Sequence, residues 1–190
     1  MKYIDKQYYH IFNRGAHKGK IFFSDENYYY CLRLVKKYTE IYKLEILAYC
    51  LMPNHYHFIL QQKQSGSISR FLQTTFNAYS QAINKAIKHS GTLFQGRAKG
   101  ILTDTDEHLI HLVRYIHLNP VVARLVSKPE EWEFSDYNEW IGESNFKYSG
   151  EKLRQNYFKE AKEYKLFVDE YRHKQEILLL TNYLYPFEGL

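Results

Sequence analysis

Hydrophobic and polar residues change period several times along this 190-residue chain, and each change marks an element. Tyr8-Tyr9-His10-Ile11-Phe12 reads as a first strand that ends in the loop Asn13-Arg14-Gly15. Ser24-Asp25-Glu26 then opens a helix with Ser24 as its cap, and Tyr28, Leu32, Val35 and Tyr38 recur on one side of it. Leu44 to Met52 is apolar throughout, which predicts a second strand at the centre of a sheet. Pro53-Asn54 breaks this run, and His55 to Gln61 returns as a third strand. So short a connection predicts an antiparallel hairpin.

After a loop over Gln64 to Gly66, Ile68, Phe71, Leu72, Phe76, Tyr79, Ile83 and Ile87 recur at helical spacing, predicting a long second helix that Gly91 ends. Arg97 to Thr103 reads as a fourth strand ending at Asp104. A helix follows from about Asp106 to Leu118, with Asn119-Pro120 as its stop. Residues 128–142 carry both tryptophans and read as irregular. From Glu151 to Leu180 the pattern is helical again, with Tyr157, Tyr164 and Tyr171 seven apart as a packing stripe. Strand, helix, strand, strand, helix, strand is the ferredoxin-like βαββαβ order of an α+β fold. It places two helices on one face of an antiparallel sheet and leaves the other face for a ligand, with the helix after the last strand covering part of it.

Composition narrows the partners only slightly. Apolar residues make up 45% of the chain, enough for a core, and aromatic residues an unusual 17%, with 19 tyrosines. Tyrosine suits stacking surfaces, but it also fills cores. A net charge of +5 permits an anionic partner such as nucleic acid without requiring one. Cys31 and Cys50 are too few and too far apart for a disulfide framework or a zinc knuckle, so buried free thiols are expected. No apolar run is long enough to span a bilayer and the first residues carry no apolar signal stretch. A cytoplasmic protein without a membrane partner is the expectation.

The candidate chemistry starts at Pro53-Asn54-His55-Tyr56-His57. Side chains alternate along a strand, so His55 and His57 share one face while Tyr56, Phe58 and Leu60 pack under the helices. Two neutral imidazoles on one rigid surface are half of a metal site. The helix near residue 115 offers more. Leu109, Leu112, Val113 and Ile116 form its apolar stripe, and His108, His111, Tyr115 and Asn119 lie together along the stripe's edge. If that helix packs beside the third strand, a phenol, an amide oxygen and two imidazoles converge, a mixed set that suits Mn²⁺, or Mg²⁺ with waters. The residues alone leave alternatives open: the histidine pair as structure, Tyr115 as a packed core tyrosine, and Asn119 as a helix terminator.

Met52-Pro53-Asn54-His55-Tyr56-His57 resembles the His-hydrophobe-His signature of the single-tyrosine HUH, or IS200-like, transposases. Arg114-Tyr115-Ile116-His117-Leu118-Asn119-Pro120-Val121 resembles the tyrosine motif of one branch, the REP-associated tyrosine transposases. Phe94-Gln95-Gly96-Arg97-Ala98-Lys99-Gly100-Ile101-Leu102 is similar to the strand between those motifs, and Trp132-Glu133-Phe134-Ser135-Asp136-Tyr137 to the Trp-Ser segment near the domain end. The likeness runs in order from about residue 5 to 142. There are departures: Val122-Ala123-Arg124 stands where the branch usually has Arg-Ala-Gly, and Gly96 and Ala98 replace bulkier or basic residues.

The resemblance, which ends near residue 142, implies a catalytic domain over 1–142, and the helical pattern after it makes 143–190 a helical extension. The resemblance also implies a metal-dependent enzyme, using Mg²⁺ or Mn²⁺, that cleaves and rejoins single-stranded or hairpin DNA. Tyr115 would be the nucleophile and His55, His57 and Asn119 the metal ligands. From its place one turn before Tyr115 on the same helix face, His111 is a candidate proton acceptor. Asn13, Arg14, Arg97 and Lys99, with Lys18 and Lys20, would contact DNA. The enzyme would act as a monomer or homodimer, nucleoid-associated when bound. Two other classes stay open on this sheet: a metal-independent nucleic-acid-binding module and a metal nuclease that uses water.

Overall fold

In a computed structural model, which describes residues 2–103, 105–144 and 150–172, four strands form one antiparallel sheet. They are β1 (Tyr8–Arg14), β2 (Leu44–Met52), β3 (His55–Gln62) and β4 (Lys99–Thr103), in the spatial order β2-β3-β1-β4. Helices α1 (Asp25–Ile41) and α2 (Ile68–Ala86) connect them in the ferredoxin-like order, and α3 (Asp106–Val122) follows the last strand. A single turn, α4 (Tyr137–Trp140), and two further helices, α5 (Gly150–Tyr157) and α6 (Ala161–Arg172), complete the described chain.

Alternation along the strands divides the core in two. Tyr9 and Ile11 of β1, Tyr49 and Leu51 of β2, and Tyr56, Phe58 and Leu60 of β3 pack against α1 and α2. Phe12, Cys50, Met52 and Ile59 face the other way, against Leu109, Leu112, Val113 and Ile116 of α3. Both cysteines are buried free thiols. Leu47 and Ala48 both face α3, because the register shifts between Ile46 and Ala48, where a bulge lets β2 switch faces partway.

Several expectations shift. β2 is an edge strand, not a central one. It is apolar throughout because helices cover both its faces and the segment from Trp132 to Asp136 seals its outer edge. Leu51 N–H donates to the Phe134 carbonyl at 2.8 Å, Tyr49 N–H to the Asp136 carboxylate at 2.7 Å, and Trp132 Nε1–H to the Leu51 carbonyl at 3.0 Å. β1 continues through Asn13 and Arg14, and the chain turns away at Gly15, where a Cβ would stand 2.0 Å from the Gly19 carbonyl oxygen. β4 begins at Lys99 rather than Arg97. α2 ends at Ala86, ahead of Gly91.

α3 does not stop at Asn119-Pro120. It runs through Pro120 to Val122, giving up only the one N–H that proline lacks. The stretch from residue 151 is two helices, so the tyrosine heptad does not lie on one continuous rod. Tyr164 of α6 is fully buried, while Tyr157 and Tyr171 are half-buried beside it in the same cluster. Residues 173–180 of that stretch, like Asp104, lie outside the described residues. α3 and the helices after it cover much of the sheet face expected to be free, and Leu153, Tyr164 and Val168 complete the core between α3 and β2. No helix among the described residues is long and apolar enough to cross a membrane.

Candidate active site

β3 begins directly after the Pro53-Asn54 turn, so His55 and His57 fall at its first and third positions, on the face toward α3. Their ring centroids are 5.0 Å apart and nearly perpendicular. Burial lowers the pKa of His55 to about 4 and that of His57 well below the ordinary histidine value, so both imidazoles are neutral at physiological pH. His55 Nδ1 lies 2.6 Å from Asn54 Oδ1.

The α3 stripe brings Tyr115 and Asn119 to these rings. The Tyr115 ring meets that of His57 edge-on at 5.7 Å. Asn119 is buried one turn later, and its side chain hydrogen-bonds both His55 and Tyr115. Its Nδ2–H also donates to the Tyr115 carbonyl at 2.9 Å. Burial pushes the Tyr115 phenol up to about 12, opposed by the Asn119 hydrogen bond. The structure thus brings His55, His57, Tyr115 and Asn119 into one cluster at the sheet–helix seam. Two neutral imidazoles and an amide oxygen are donors that Mn²⁺ or Mg²⁺ accepts. Among the described residues no three His, Cys, Asp or Glu side chains form a metal-holding group.

The remaining residues singled out in the sequence are spread around this cluster. Arg14 pairs across the sheet with His55 and lowers its pKa, after burial, through its charge. Lys99 pairs with Phe12, which in turn pairs with His57, so Lys99 is in line with the histidines on the same face. Arg97, Lys18 and Lys20 are exposed. Asn13 is buried on the opposite face. Its Nδ2–H donates to the Gly96 carbonyl at 3.1 Å, and it lines a cleft of about 800 Å³ with Tyr56, Phe76, Phe94 and Arg97. His111 Nδ1 accepts from Arg114 Nη2 at 2.7 Å, and Arg114 stacks on Phe167 and Tyr171 of α6.

The family model for IS200-like transposases matches residues 3–119, more than half of the chain, and spans all four strands and the Tyr115–Asn119 turn. The chain belongs to the IS200-like transposase family. It is therefore a transposase-type protein, of a class that acts on DNA. No curated protein matches this transposase by sequence. Among solved structures, a REP-associated tyrosine transposase bound to a REP hairpin shares the fold, with a TM-score of 0.65 at 17% identity over 77% of this chain and 86% of that one. A protein of Deinococcus radiodurans R1, provisionally named a transposase, gives a TM-score of 0.44 at 18% identity, covering 61% of this chain and 92% of that one.

Sequence reasoning missed two groups in this transposase. His10 of β1 lies 2.9 Å from His57 Nδ1 through its Nε2. Alternation already sets His10 on the face opposite Tyr9 and Ile11, but only the β1–β3 register makes it a diagonal neighbour of His57. The second group is buried behind the site, where His117 Nε2 meets Asp136 Oδ1 at 3.0 Å and His117 Nδ1 meets the Tyr164 hydroxyl at 2.6 Å.

Proposed function

We propose that this transposase is a single-strand DNA endonuclease and strand transferase of the REP-associated kind, with Tyr115 as nucleophile, cutting at or near DNA hairpins. What carries the reading is the meeting of Tyr115 with His57, with Asn119 joining Tyr115 to His55. A buried tyrosine is common, but one that shares the Asn119 amide with neutral His55 and meets the His57 ring supports a role in phosphate chemistry. Tyr115 Oη attacks the scissile phosphorus, a 5′-phosphotyrosine forms and a 3′-OH leaves. One phosphodiester replaces another, so the bond energy is kept for rejoining.

With a pKa of about 12, the phenol holds its proton at neutral pH and must lose it as the new bond forms. The Asn119 hydrogen bond favours the phenolate. His55, His57 and Asn119 would hold Mg²⁺ or Mn²⁺, which supplies charge neutralisation at the phosphate. Arg14 and Lys99, on the same sheet face, would bind flanking phosphates, with Arg97, Lys18 and Lys20 beyond them. Asn13 would act by holding the loop at Gly96 beside the cleft. Catalysis would lie in residues 1–142, with the extension from 143 docked on α3.

The test is incubation with single-stranded hairpin DNA and Mn²⁺. A protein–DNA adduct that survives denaturing electrophoresis and is lost in Tyr115→Phe supports the proposal. Cleavage that persists in Tyr115→Phe without an adduct indicates a nuclease that uses water. Binding across a range of hairpins without cleavage indicates a binding module.

A further inference from the structure

β1 buries one histidine that the proposed chemistry does not use. His10 is 1% exposed, and its ring stacks on Phe12 at 4.7 Å. A buried ring nitrogen left without a partner costs about 1–3 kcal/mol, so what His10 bonds to matters. Its Nε2 lies 2.9 Å from Nδ1 of His57, itself 2% exposed, and the two rings are within 11° of parallel.

A hydrogen bond between two neutral imidazoles needs one nitrogen with a proton and one without. It therefore selects a tautomer on each ring. His55 is held in a comparable way: its Nδ1 is 2.6 Å from Asn54 Oδ1, and a proton on Nδ1 there leaves on Nε2 the lone pair that ligation needs. The same choice at His57 makes its Nδ1–H the donor to His10 Nε2 and leaves the His57 lone pair on Nε2. Two adjacent imidazoles then present matching nitrogens for a cation, each held from behind by its own partner.

We propose that His10 is a positioning residue for His57, its Nε2 accepting the His57 Nδ1–H and so fixing the ring and tautomer that ligation through Nε2 requires. The role rests on the reading of His55, His57 and Asn119 as a cation site. Burial keeps both rings neutral, and it leaves no solvent to take over the bond if His10 is removed.

The tautomer can be read on the metal-free full chain at pH 7 from long-range proton–nitrogen correlation spectra, with the His57 signals assigned by their loss in His57→Gln. The Nδ1–H form of His57 is expected in the wild type, a shift toward Nε2–H in His10→Phe, and a return in His10→Gln, whose amide oxygen can accept. Mn²⁺ affinity, measured by electron paramagnetic resonance of the free ion, should fall about 10–100-fold in His10→Phe and recover in His10→Gln. A wild-type His57 in the Nε2–H form overturns the proposal without any variant. So does a folded His10→Phe with unchanged tautomer and unchanged Mn²⁺ affinity. Absence of Mn²⁺ binding in the wild type instead overturns the cation site, and the tautomer measurement then decides the role of His10 alone.

Discussion

Three histidines sit neutral under the α3 seam, and this sets an acid response. Burial lowers His10 to about 3 and His55 to about 4, and it lowers His57 well below the ordinary value near 6.5. The unfolded chain therefore binds more protons than the folded one between about pH 6.5 and 4. Stability is intact above 6.5 and is lost as the pH falls through that window. Urea midpoints should hold from pH 7.5 to about 6.5 and then decline down to pH 5, and a flat profile throughout would show that these rings are not held neutral by burial. The His55/His57 pair was legible in the sequence because period-2 alternation is local. The low pKa values were not, because they depend on α3 closing over the rings.

Elements here are finished by segments that look irregular in the sequence. The run from Trp132 to Asp136 has no helical or strand period, yet it acts as the partner that the edge of β2 lacks. Asp136 is its anchor. The carboxylate accepts from Tyr49 N–H at 2.7 Å and Trp140 Nε1–H at 3.2 Å, and meets His117 at 3.0 Å. Asp136→Ala leaves these buried groups unpaired, at a cost on the order of 3–5 kcal/mol. Denaturant unfolding should show that loss, and amide exchange at Tyr49 and Leu51 should speed up more than at β1. α3 teaches a related lesson. Asn119-Pro120 reads as a stop, but the helix continues because its buried stripe is worth more than the one hydrogen bond that Pro120 forfeits.

At the scale of the whole molecule, α5 and α6 are part of the core rather than a tail. Tyr164 packs on Trp140 at 4.8 Å and bonds His117 of α3, so α6 is tied into the α3 side of the core. Tyr164→Ala should cost about 3–5 kcal/mol in denaturant unfolding while leaving a single cooperative transition. With Arg14 and Lys99 on flanking phosphates as proposed, binding to hairpin DNA should weaken steeply with salt. Each of Arg14→Ala and Lys99→Ala should lower the slope of log affinity against log salt by nearly one unit. An unchanged slope would remove that residue from the phosphate contacts. The sequence by itself determined the βαββαβ order, the shared face of His55 and His57, and the helix edge carrying Tyr115 and Asn119. All three follow from periodicities of two and 3.6 residues, which are local. Only the tertiary structure decided that β2 lies at an edge, that His10 backs His57, and that Asn119 joins His55 to Tyr115. Those facts depend on strand order, register and helix docking, which are set by packing between segments far apart in the chain.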